Sequence, residues 1–499
     1  MSAQPSPGRP GNLTAEQEAI LREFWVAVLQ VFGVLAKQSL RNGAAGGNNS
    51  PVGEKPDVED NANETGPTAN TVNSEKKKRK RMSLFGKKGR KDSISDTPVP
   101  GDDTLNPIPS VPSSATEGDD KYGQTKAFKL ALASQTPEDL RQAFWSMVKL
   151  DHPDGLLLRF LRARKWDVER ALVMLVSAMH WRSQEMHVDD DIMKNGEGAA
   201  LAATISDDVS VKREGEDFLT QLRMGKSFLH GVDKEGRPMC FVRVRLHKQG
   251  EQSEKSLEKV TVYTIETARL MLRAPIDTAT IVFDMTGFSM ANMDYAPVKF
   301  MIKCFEANYP ESLGAVLVYK APWVFQGIWS IIKGWLDPVV AGKVHFTKNV
   351  EELERFVPRN HIPKELGGDE DWAYQYIEPN QNENTKMADD TTQRNILSAR
   401  VEIVKRFEEA TLDWIGASSS EKTSSTEMAT QRTKLASELR DNYWQIDPFT
   451  RSRSIYDRIG ILREDGLLDF YPSPSKTNGD YSGKRAPKTV IETSQDDVD

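Results

Sequence analysis

TATIVFDM, residues 278–285, and GAVLVYKA, residues 314–321, are short continuous apolar runs, the pattern of strands buried on both faces. Just upstream, RPMCFVRVRL, residues 237–246, alternates well enough for another strand and follows the turn Asp233-Lys234-Glu235-Gly236. Helical stretches at 256–273 and 295–307 fall between the runs. Alternation of strand and helix makes this an α/β chain, with parallel pairing in the middle of its sheet.

Outward from that centre the pattern becomes helical. Thr14 and Gln17 form a capping box ahead of Ile20, Leu21, Phe24, Val28 and Val31, which predicts an amphipathic helix over 14–36. Pro137, Glu138 and Asp139 open a helix carrying Leu140, Phe144, Trp145 and Val148 on one side. DGLLLRFLRARKWDVERALVMLVSAMHWR, from Asp154, reads as two further helices around a turn near Trp166 and Asp167. Beyond Gly367-Gly368 and Trp372, two more helices are expected at 392–416 and 427–445, joined by a serine-rich stretch. The first carries Leu397, Val401, Val404, Phe407 and Leu412 as a stripe to be packed, followed by Leu435 and Leu439 on the second.

From Leu40 to about Asp120, Gly, Asn, Ser, Asp and eight prolines dominate and Phe85 is the only aromatic residue, so the segment is expected to be disordered. It contains KKKRKRMSLFGKKGRK, residues 76–91, readable as a nuclear-import signal, an anionic-lipid anchor or a solvated charge block.

The 499 residues suffice for about three domains. Ten of the 66 basic residues lie in the 76–91 cluster, leaving the remainder of this chain of net charge -7 markedly acidic, which argues against a nucleic-acid partner. Two cysteines, Cys240 and Cys304, make no disulfide framework, and no secretory pattern opens the chain, so the expected location is cytoplasmic. No run reaches the length of a membrane span, and any membrane contact should be peripheral.

The motifs that suggest catalysis fail on spacing. Gly225-Lys226-Ser227 resembles the end of a phosphate-binding loop, but Thr220 occupies the required glycine position. Asp191 to Gly196 imitates a calcium loop, with Met193 and Ala202 at ligand places. The seven histidines and two cysteines lack zinc-site spacing, and no nucleophile elbow is present. The expectation is a non-enzyme, with no metal and no cofactor.

Four strings, LLLRFLRARKWD (156–167), HGVDKEGRPM (230–239), NYPESLGAVLVYKAPWVF (308–325) and LDPVVAGKVHF (336–346), occur in the order found in the CRAL-TRIO lipid-binding family. The chain resembles its fungal phosphatidylinositol transfer proteins across about 220 residues. The resemblance implies a CRAL-TRIO lipid-binding domain over 211–378, with a mixed, largely parallel sheet flanked by helices. It implies a helical N-terminal module over 121–190 and a helical extension over 388–470. Residues 14–36 should dock on that module across the disordered insertion 37–120, and 471–499 should be a disordered tail. A free helix binding a membrane or a partner is the plain alternative for 14–36.

A diacyl phospholipid has around 30 methylenes at about 0.8 kcal/mol each, so exposing it would cost on the order of 20 kcal/mol or more, and a carrier must enclose it. Its phosphate must then meet fixed donors. Matched to the family's headgroup positions, Arg164 and Lys343 are expected to face the phosphate, and Glu311 an inositol hydroxyl while it holds Lys343. Without the resemblance, a surface salt bridge among the three is the ordinary reading. Val340 stands where the family has a threonine, and Ala279 and Ile281 where it has choline-binding hydroxyls. Looser inositol binding, doubtful phosphatidylcholine exchange and an undetermined second ligand follow from these departures.

WVFQGIWSIIKGWL, residues 323–336, holds three of the ten tryptophans and one charge. Trp323, Phe325, Ile328, Trp329, Ile332 and Trp335 are expected to form a gate helix that opens at a bilayer, with a core helix as the alternative. The function expected is binding of phosphatidylinositol in an enclosed cavity and its transfer or presentation between membranes. The rivals are a carrier of a sterol-like apolar ligand and a scaffold with a vestigial pocket. Peripheral contact with endosome, endoplasmic reticulum or lipid droplet fits this reading, which says nothing of oligomeric state.

Overall fold

A computed structural model describes residues 5–35, 120–417 and 422–471, side chains of 422–425 excepted. The basic cluster 76–91 and nearly all of the insertion expected to be disordered lie outside the described residues. So do the serine-rich joint at 418–421 and the tail from 472 onward.

Five strands form one sheet in sequential order: β1 (Ser227–Val232), β2 (Pro238–Arg243), β3 (Ala279–Asp284), β4 (Leu313–Tyr319) and β5 (Val344–Thr347). The β1–β2 pair is antiparallel and the other three are parallel, giving the mixed, largely parallel sheet of the expected class. Strand β2 stops at Arg243, short of the expected Leu246, because its last pairing is Arg243 with Asp284, where β3 itself ends. Four-residue β5 lay hidden in the motif LDPVVAGKVHF.

Parallel register explains why the central runs are apolar throughout. Cys240, Ile281, Val316 and Val344 form one row across the sheet, and Val242, Phe283 and Val318 form the next, two residues on. The alternate residues Met239, Phe241, Val282, Leu317 and Tyr319 turn to the other face and pack on Leu353, Val357, Ile362 and Leu366. Each run thus needs apolar side chains in both directions.

Thr14 and Gln17 cap the leading helix Ala15–Val31 reciprocally: Gln17 N–H donates to Thr14 Oγ1 at 3.2 Å, and Thr14 N–H to Gln17 Oε1 at 3.1 Å. This helix ends at Val31, five residues before the expected boundary, with Phe32 as its cap, and Gly33 follows with φ +67°, the left-handed position that closes helices. Its Leu21, Phe24, Trp25 and Val28 share one core with Phe144, Leu157, Phe160 and Leu175.

The same core takes in Val404, Phe407 and Trp414 of the helix Asp390–Gly416, and Leu435 and Leu439 of the helix Lys422–Thr450. Both helices run longer than expected. The expected stripe needs correction at its upper end, where Leu397 and Val401 are exposed. The inward positions at that level are the half-buried Ile396 and Arg400, whose guanidinium donates to the Leu439 carbonyl at 2.8 Å.

Candidate functional site: an apolar cavity under one helix

The face of the sheet carrying the rows Cys240–Ile281–Val316 and Val242–Phe283–Val318 opens on a cavity of about 270 Å³. Helix Glu254–Leu270 contributes Val260 and Thr264 to its wall, helix Tyr295–Lys303 contributes Val298 and Ile302, and helix Phe325–Lys333 contributes Phe325, Trp329 and Ile332. The lining is apolar over most of its extent.

Helix Phe325–Lys333 is sided. Phe325, Ile328 and Ile332 are buried, packed with Met285, Ile302 and Val318. Trp329 sets its ring edge against Phe346 at 5.3 Å, and Trp335 against Tyr295 at 5.3 Å. On the outside, Trp323 is 84% exposed, and Val324, Ile331, Val339 and Phe346 are exposed with it. Apolar residues therefore occupy both the cavity side and the outer side of this segment, with open space beside Gly327.

Of the three residues assigned to the headgroup, the structure joins two. Lys343 Nζ lies 3.7 Å from Glu311 Oε2, both side chains about three-quarters buried. Lys343 directly precedes β5, and its carbonyl accepts from Val316 N–H at 2.8 Å. Glu311, just before β4, adopts φ +54°, an uncommon conformation for a residue with a side chain. The buried Arg159 holds it there, donating to the Glu311 carbonyl at 2.8 Å and to the Asp277 carbonyl at 2.5 Å. Arg164, at the end of helix Pro153–Ala163, donates to Gln124 Oε1 at 2.5 Å, and Gln124 Nε2 donates to the Ala307 carbonyl four residues before Glu311. Val340 and Ile281, where the resemblance led to the expectation of hydroxyls, both line the cavity.

Among the described residues, the cavity lining does not include Arg164, Glu311 or Lys343, and sequence reasoning passed over a polar group that it does include. Lys226 precedes β1, is 8% exposed, and donates to Gln252 Oε1 at 2.6 Å and to His247 Nδ1 at 3.3 Å. His247 Nε2–H in turn donates to Asp294 Oδ2 at 3.3 Å. Asp294 is fixed as the cap of helix Tyr295–Lys303, and Asn292 Nδ2 donates to the His247 carbonyl at 2.9 Å. Burial pulls the Lys226 ammonium down to about 8, despite the nearby Glu251, Asp217 and Asp294. Burial and the Lys226 charge also lower His247 below the usual imidazole range, against the pull of Asp294. The only hint in the sequence was the rejected Gly225-Lys226-Ser227.

Among the described residues, no group of three or more His, Cys, Asp and Glu side chains is placed to hold a metal ion, and no helix is long and apolar enough to cross a membrane.

A mixed sheet covered by helices around an apolar hollow defines an α/β protein built for a hydrophobic ligand. Residues 124–177 match the CRAL/TRIO N-terminal domain and residues 222–368 the CRAL/TRIO domain. The chain is similar to a CRAL-TRIO domain-containing protein of Schizosaccharomyces pombe, 42% identical over 95% of this chain and 96% of that one. It is also similar to the phosphatidylinositol transfer protein CSR1 of Eremothecium gossypii, 38% identical over 93% of this chain and 100% of that one. A phosphatidylinositol/phosphatidylcholine transfer protein, SFH7 of Arabidopsis thaliana, is 26% identical over 53% of this chain and 46% of that one. This chain belongs to the CRAL-TRIO family.

Proposed function

We propose that this protein encloses phosphatidylinositol and transfers or presents it between membranes, with helix Phe325–Lys333 as the gate and no bond chemistry involved. The observation that carries the reading is the continuity of apolar surface from the cavity wall, through Phe325, Trp329 and Ile332, to the outer face at Trp323, Val324 and Ile331. Exposed Trp323, Val324 and Ile331, beside the outward Gln326, Ser330 and Lys333, are poorly placed in water and well placed at a bilayer interface, where opening the helix would let acyl chains pass without meeting solvent.

Lys343 and Glu311 supply a cation and an acceptor, as a phosphate with inositol hydroxyls requires. The strained turn at Glu311, pinned by Arg159, supports a functional position. Arg164 completes the headgroup set in this reading. The names of the relatives CSR1 and SFH7 point the same way.

Transfer of labelled phosphatidylinositol between liposomes tests the assignment, with wild type compared against Glu311→Ala and Lys343→Ala. Loss of a hydrogen bond to a charged group predicts a fall of about tenfold or more for each. Both variants transferring as fast as wild type would remove the headgroup assignment, and no lipid in extracts of the purified protein would favour a scaffold.

A further inference from the structure

Lys226, His247 and Asp294 line the same cavity as the apolar rows of the sheet, yet the Glu311–Lys343 pair accounts for none of them. Both hydrogen-bond partners of Lys226 are uncharged, Gln252 and His247, and among the described residues no carboxylate forms an ion pair with it. Arg243, the other basic residue of the lining besides His247, is already taken by Glu365, its Nη2 lying 2.8 Å from each carboxylate oxygen. A lysine kept for the fold alone would be paired or would reach solvent. Instead it is held in place, through His247 and Gln252, with one N–H left to give.

We propose that the Lys226 end of the cavity is a second headgroup subsite, which takes the carboxylate of a long-chain fatty acid whose alkyl chain lies along Ile281, Phe283, Val316 and Val318. The chemistry selects that ligand class. One cation with one remaining donor matches a single negative charge on a small group. An inositol ring or a glycerol backbone would bring several hydroxyls or esters to a wall that includes Val242, Val244 and Leu257, and would leave them unsatisfied. A sterol hydroxyl would accept the N–H but bring no charge to meet the ammonium, whose nearby carboxylates Glu251, Asp217 and Asp294 form no ion pair with it. The subsite rests on the enclosure reading above, and uses none of its headgroup residues.

The test is equilibrium binding of a fluorescent long-chain fatty acid to the full chain, with displacement by unlabelled palmitic acid and by its methyl ester. Wild type should favour the acid over the ester by about tenfold to a hundredfold, the range of a hydrogen bond to a charged group. Lys226→Met, which keeps the length of the stem, should erase the preference, so that acid and ester displace the probe equally. Equal displacement by acid and ester in wild type overturns the subsite, as does a preference that survives in the variant. If Lys226→Met fails to fold, the wild-type comparison still decides. If neither probe displaces, and phosphatidylinositol is not transferred, the enclosure reading falls along with the subsite; displacement failure with transfer intact sinks the subsite alone.

Discussion

Glu311 sits in a left-handed conformation that a glycine would occupy more easily, and it spends its side chain on Lys343. Glu311→Gly should therefore separate function from stability: phosphatidylinositol transfer falls about tenfold, while the thermal midpoint holds or rises, since relief of such strain is worth about 1 kcal/mol. A parallel drop in both would make Glu311 a structural residue. At Val340, on the cavity wall, threonine would add the hydroxyl that the resemblance leads one to expect there. Val340→Thr should tighten inositol-lipid binding by about 0.5–1.5 kcal/mol, read as a few-fold lower half-saturation in the transfer assay. The sequence led to Glu311 and Lys343 because both sit in long motif strings. Lys226 was invisible because its significance is a matter of burial, and a single lysine before a strand says nothing about what surrounds it.

Elements were legible wherever periodicity and length agreed. The central strands read correctly because parallel pairing under two layers demands apolar residues at every position, a pattern no surface strand shows. The end of β2 could not be read, because it depends on where β3 ends, forty residues later. The gate segment read as apolar almost all round, and only the structure divides it into Phe325, Ile328 and Ile332 within and Trp323 and Ile331 without. That division supplies a measurement. Cys240 lines the cavity beneath helix Phe325–Lys333, its thiol pushed up to about 12 by burial, and Cys304 is fully buried elsewhere, its thiol also raised by burial. In water neither should react with an alkylating maleimide. With liposomes present, an apolar maleimide should modify Cys240 several-fold faster than Cys304, as located by peptide mass spectrometry, and Trp323→Ala should blunt the increase by weakening contact with the bilayer. Equal rates for Cys240 with and without liposomes would count against a moving gate.

At the scale of the whole molecule, one buried contact joins segments more than 400 residues apart. Arg432 of the helix Lys422–Thr450 donates to both Asp154 oxygens, at 2.9 and 2.5 Å, and Trp25 Nε1 of the leading helix donates to Asp154 at 2.8 Å. The guanidinium lies 4.2 Å from the centroid of the Trp414 ring. No periodicity announces such a triad, since each member looks like an ordinary polar residue of its own helix. It ties the N-terminal helix, the helical module and the C-terminal pair into one core, so the extension is a stabilising part of the fold and not a separate appendage. Burial raises the Asp154 carboxyl, but the Arg432 charge outweighs it and leaves the group below its usual range. A carboxylate depressed in the folded state contributes stability that is complete above its unfolded value near 4 and is lost as pH falls through the folded one. Arg432→Ala strands the Asp154 charge and should cost about 3–5 kcal/mol at pH 7. Asp154→Leu combined with Arg432→Met, which removes both charges and keeps the volume, should recover most of that loss. Urea unfolding at pH 7 and again in acid below the depressed folded value of Asp154 checks both points: the deficit of Arg432→Ala should shrink there, where wild type protonates Asp154 too, and a deficit that stays constant would place the stabilisation in packing instead of charge.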